Sequence, residues 1–91
     1  MPYPTELKLF RCISYYEKEI GIWMGDHVFD GIDLDFLKSL VDAPDTDPDL
    51  RLGYPINKEQ AKILKELTGV EFEFRFYDYF LHSFNRVVEI Q

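Results

Sequence analysis

The sequence predicts an α+β fold. A mainly antiparallel sheet, made of an N-terminal hairpin and C-terminal strands, carries two helices on one face in the order β-β-α-α-β-(β). Three observations predict it. Residues 70–76, VEFEFRF, alternate strictly between apolar and polar, the period of a strand. Leu34, Leu37, Leu40 and Val41 fall on one side at helical spacing. Asn57 and Gln60 stand three apart ahead of a second apolar helical run, which Gly69 closes.

Taken in order, residues 7–16 (LKLFRCISYY) are rich in β-branched and aromatic side chains and hold no Gly or Pro, so they read as the first strand. Glu17-Lys18-Glu19 makes a polar turn into residues 20–29, the second strand of an antiparallel hairpin, where Gly21 and Gly25 mark a bulge or a close backbone approach. Asp33 is suited to cap a helix over 34–42. Residues 43–56 contain three prolines, a glycine and three aspartates and read as a long loop. The second helix runs from Asn57 to about Thr68, with Ala61, Leu64 and Leu67 inward and Ile63 alongside. The strand over 70–76 continues through Leu81, and Val87–Ile90 supplies a short last strand. Phe72, Phe74, Phe76 and Phe80 are then expected in the core, with Tyr77 and Tyr79 on the polar face beside Glu71, Glu73 and Arg75.

With 91 residues the chain is read as one domain over 1–91. Its composition is 46% hydrophobic and 16% aromatic, enough to bury a core. Cys12 is the single cysteine, so no internal disulfide can form. The first residues have neither the basic region nor the apolar run of a signal peptide, and no apolar run reaches the roughly 20 residues of a membrane span. A cytoplasmic location is therefore expected.

Seventeen Asp and Glu against ten Lys and Arg give a net charge of -7. That balance argues against nucleic-acid or anionic-membrane surfaces, both of which need basic patches. The charge is also localised. Residues 26–50 hold eight aspartates (26, 30, 33, 35, 42, 45, 47 and 49) and one base, Lys38, so their net charge equals that of the whole chain. Asp favours caps and turns over helix interiors, which places this charge on loops. A cationic partner is the functional implication; a solvated loop is the plainer one.

No motif announces catalysis. Asp45, Asp47 and Asp49 have the first spacings of a calcium loop, but Leu50 stands where the turn glycine belongs and Ile56 where the bidentate glutamate belongs. There is no zinc-ligand spacing, phosphate loop or nucleophile elbow. His27 and His82 read as packing or surface residues and Cys12 as a small buried hydrophobe. The expectation is a protein that is not an enzyme and carries no cofactor or metal. Candidate partner-binding residues are Asp42, Asp45, Asp47, Asp49 and Tyr54 from the loop, with Asp26, Asp30, Glu73, Tyr77 and Asp78 as a second group.

The run Ser14-Tyr15-Tyr16-Glu17-Lys18, then Asp47-Pro48, Gly53-Tyr54-Pro55, Phe72-Glu73-Phe74 and Tyr77-Asp78-Tyr79-Phe80-Leu81, resembles small acidic bacterial immunity proteins of contact-dependent growth inhibition and related polymorphic toxin systems. The likeness covers most of the chain through turns and aromatic strands. It implies an intracellular protein that neutralises one cognate toxin domain, commonly a nuclease, with an RNase favoured. The alternatives are an acidic adaptor or DNA mimic, a small enzyme using a histidine with an aspartate, and a homodimeric subunit paired through an edge strand.

Overall fold

The computed structural model describes residues 4–90. Its elements are β1 (Thr5–Glu17), β2 (Trp23–Phe29), α1 (Leu34–Leu40), β3 (Tyr54–Pro55), α2 (Lys58–Thr68) and β4 (Tyr77–Glu89). They form one antiparallel sheet in the order β2-β1-β4-β3. This is the α+β arrangement expected, with one strand more in the middle and one fewer at the end. The short last strand is the far half of β4, and the predicted loop contains the two-residue edge strand β3.

The two 13-residue strands β1 and β4 pair along their whole length, from Thr5↔Glu89 to Glu17↔Tyr77. β2 covers only Arg11–Tyr16 of β1, with an irregularity between Tyr15 and Tyr16. β3 covers only Phe80 and Leu81 of β4, and Pro55 sits there at an edge, where its missing N–H costs no ladder bond. The ribbon of residues 5–10 and 84–89 thus extends past the flanking strands, leaving Leu7 and Val87 exposed.

Period-two geometry sorts the side chains. On one face Ile13 of β1 and Tyr79 and Leu81 of β4 meet Leu37 of α1, Ala61 and Leu64 of α2, and Leu50, Ile56 and Val70 from the connections. Leu34, Leu40 and Val41 pack against this cluster as their spacing predicts. Leu67 lies on the solvent side of α2 instead of facing inward, and Ile63 is exposed as well. Both helix starts are made by the predicted residues. Asp33 accepts the Phe36 N–H, and Asn57 and Gln60 exchange side-chain-to-backbone bonds of 2.8 Å in a capping box. Gly69 ends α2 at φ 78°, a conformation glycine adopts without steric cost.

The segment 70–76 departs from expectation: it is not a strand. β1 has no ladder position left beyond Glu17↔Tyr77, so the preceding residues fold over in a turn, with the N–H groups of Phe76 and Tyr77 both donating to the Glu73 carbonyl. Phe72 and Phe74 still pack on the core, against Tyr79, but Phe76 is 55% exposed. The shift also reverses the tyrosines. Tyr79 is 4% exposed in the core and Tyr77 packs beside it through Tyr15, while Phe80 lies on the opposite face against Tyr16.

Candidate functional site

Alternation along β1 sends Cys12, Ser14 and Tyr16 to the face away from the helices. The ladder then chooses their neighbours: Cys12 lies opposite His82 on β4, and Ser14 opposite Asp26 on β2. Directly opposed positions hold their Cβ atoms about 5 Å apart, so the registers of three strands gather a thiol, a hydroxyl, a carboxylate and an imidazole. Cys12 Sγ is 3.1 Å from His82 Nε2 and 3.7 Å from Ser14 Oγ, and Ser14 Oγ is 2.5 Å from His82 Nε2. The Ser14 hydroxyl donates to Asp26, whose same oxygen accepts from Trp23 Nε1 at 3.1 Å. Cys12 is 0% and Ser14 1% exposed, whereas Asp26 reaches solvent.

The protons follow from donor counting. Ser14 has one hydrogen and gives it to Asp26, so its contact with His82 requires Nε2–H as donor, shared with the Cys12 sulfur. Burial pushes the Cys12 thiol pKa up; the Ser14 contact opposes that and the Asp26 charge adds to it. Burial also pushes the Asp26 carboxyl up, but the bonds from Ser14 and Trp23 and the nearby His82 and His27 outweigh it and hold the group below its usual range. The order of contacts differs from a nucleophilic relay, in which the carboxylate orients the histidine and the histidine faces the hydroxyl. Here the carboxylate takes the serine hydrogen directly. The donor set does suit a metal ion: one ligand atom each from Cys12, Asp26 and His82 all lie within 4.8 Å of one another.

Beside this cluster a cleft of about 490 Å³ opens on the same face, lined by Tyr16, Phe80, His82, Asp78, Arg51 and Leu52. The 43–56 connection forms one wall because Asp47 folds it inward. Asp47 accepts the N–H groups of Arg51 (2.8 Å) and Leu52 (3.0 Å) and the Tyr54 hydroxyl. Leu50, fully buried, holds a left-handed φ of 58°, secured by its carbonyl accepting Ser83 N–H at 2.8 Å.

The candidate binding residues therefore separate. Asp42 and Asp45 are exposed, and Asp49 is half-exposed and 3.7 Å from Arg51. Asp30 is exposed and accepts the Gly31 N–H; Asp78 lines the cleft and pairs with Lys18 at 3.7 Å. Glu73 is exposed, its backbone N–H donating to the Tyr79 hydroxyl. Asp47 is only 5% exposed and accepts the hydroxyl of the half-buried Tyr54 of β3. Tyr77 belongs to the core-side aromatic cluster. Cys12, Ser14, His82, Tyr16, Arg51 and Phe80 are functional candidates that spacing along the chain does not reveal. Their signal is the cross-strand register.

Fold and site together define a small antiparallel sheet protein with helices on one face and a polar cluster beside a cleft on the other. The chain belongs to the family described as a domain of unknown function (DUF7683), which matches residues 10–82 and so includes all four residues of the cluster. No curated protein and no solved structure matches it. No helix among the described residues is long and apolar enough to cross a membrane.

Proposed function

We propose that the chain is an immunity-type binding protein that neutralises one cationic toxin domain, a nuclease, by covering its substrate site. The observation that carries this reading is the confinement of the net negative charge to residues 26–50, with several of those carboxylates turned to solvent. Of the eight aspartates, Asp33 caps α1, Asp47 organises the loop and Asp26 joins the polar cluster. Asp30, Asp35, Asp42, Asp45 and Asp49 keep carboxylates at the surface.

A nuclease binds phosphate with cationic side chains, so its cleft is electropositive, and an acidic surface complements it in field. Anchoring would come from the helix-free face of the sheet. Trp23, opposite Tyr16, is exposed there, and Tyr16 and Phe80 line the cleft. Rigid aromatics of this kind supply contact area at low entropic cost.

The test is co-expression with a toxin domain encoded beside this gene. The chain should restore growth, co-purify as a stoichiometric complex and release its partner as salt rises. A toxin that stays active with this chain bound at saturation rules the reading out.

A further inference from the structure

We propose that Cys12, Asp26 and His82 form a binding site for a single transition-metal ion, with zinc the best match to the donors. The three ligands come from β1, β2 and β4, adjacent strands whose pairing fixes the backbone beneath them. Their donor atoms lie within 4.8 Å of one another, and Cys12 Sγ and His82 Nε2 are already 3.1 Å apart. Zinc bonds of about 2.0–2.3 Å in a tetrahedron separate the donors by roughly 3.3–3.8 Å, inside the range the three donors already span.

The donor types select the ion. Thiolate, imidazole and carboxylate together suit a borderline-soft cation; calcium and magnesium take oxygen ligands. Outer contacts to Asp26 are also present: Trp23 Nε1 donates to it at 3.1 Å and the Ser14 hydroxyl donates to the same oxygen. The Ser14 contact with His82 is on Nε2 itself, so the ion takes its place there. The exposed Asp26 and the cleft-lining His82 give the ion a way in past the buried thiol. Three protein ligands leave a fourth position for water, with Ser14 as its hydrogen-bond partner. On binding, the Cys12 thiol proton goes to solvent and the His82 proton moves from Nε2 to Nδ1, so each ion displaces one proton.

Cobalt(II) provides the test, because it reports both geometry and ligand. The chelator-treated full chain, titrated with Co²⁺, should take up one equivalent. It should develop the visible absorption of a tetrahedral ion and a near-ultraviolet thiolate charge-transfer band, and Zn²⁺ should bleach both. Cys12→Ala should remove the charge-transfer band. Asp26→Asn keeps the side chain's shape at an exposed position, and should weaken cobalt binding by at least the ~10-fold typical of a lost outer contact. Circular dichroism confirms that each variant is folded. Absence of the thiolate band in the wild-type chain overturns the site, as does an Asp26→Asn chain that binds cobalt as tightly as wild type. Either result would leave these residues as a polar network that only holds three strands together.

Discussion

Asp47 and Tyr54 show how a residue that reads as a binding carboxylate becomes a structural one. The Tyr54 hydroxyl, then the Arg51 and Leu52 N–H groups and the Arg51 charge, hold the Asp47 carboxyl below its usual pKa against the opposing effect of burial. Burial, the bond to Asp47 and its charge push Tyr54 up to about 12. The signs set two limits. A depressed carboxyl contributes stability above its ordinary pKa of 3.8 and loses it as pH falls toward the folded value. A raised phenol contributes fully below its ordinary value of 10.0 and loses that contribution as pH climbs to about 12. Thermal melts across pH should show Tyr54→Phe flattening the alkaline decline between these values, and Asp47→Asn flattening the acid decline below 3.8. Ser83 makes the opposite case: its buried hydroxyl has no hydrogen-bond partner among the described residues. Ser83→Ala should leave the melting temperature unchanged or raise it, since an unsatisfied polar group costs about 1–3 kcal/mol.

At the scale of elements, legibility tracks how local the determining contacts are. The α2 capping box and its Gly69 stop are made within a few residues, and both are where the sequence places them. Asn57→Ala should therefore cost about 1 kcal/mol in chemical denaturation. The seven-residue α1 depends on tertiary contact, because a helix that short is marginal alone. Leu37, fully buried, supplies that contact, and Leu37→Ala should cost about 2–5 kcal/mol by the same measurement. The residues 70–76 mislead for the same reason reversed. Their alternation is a genuine strand pattern, but a strand needs a partner, and β1 ends its pairing at Tyr77. Phe72 and Phe74 satisfy their apolar character by stacking on each other and meeting the Tyr79 ring edge-on. The Cys12, Asp26 and His82 cluster was hidden because its ends stand 70 positions apart in the sequence. An antiparallel register with Cys12 opposite His82 would have exposed it, and no periodicity within one strand carries that register.

At the scale of the whole molecule, the proposed toxin binding gives the charge and the anchoring surface separate jobs, and kinetics can tell them apart. Asp42, Asp45 and Asp49 lie on the connection whose Arg51 and Leu52 wall the cleft. Charges at such a rim act before contact, by steering encounter, while buried aromatic anchors act after it, by slowing escape. Converting these three aspartates to asparagine removes three of the seven net negative charges with little change in shape. Asn also tolerates the left-handed φ of 54° at position 42. The triple variant should melt at or slightly above the wild-type temperature, because like-charge repulsion within the segment is relieved. Against the cognate toxin domain at low salt, its association rate should fall about tenfold while its dissociation rate changes little. The gap should close as the Debye length shrinks to ~3 Å at 1 M salt. Stopped-flow mixing at several ionic strengths measures this directly, and an unchanged association rate at low salt would remove electrostatic steering from the account of recognition.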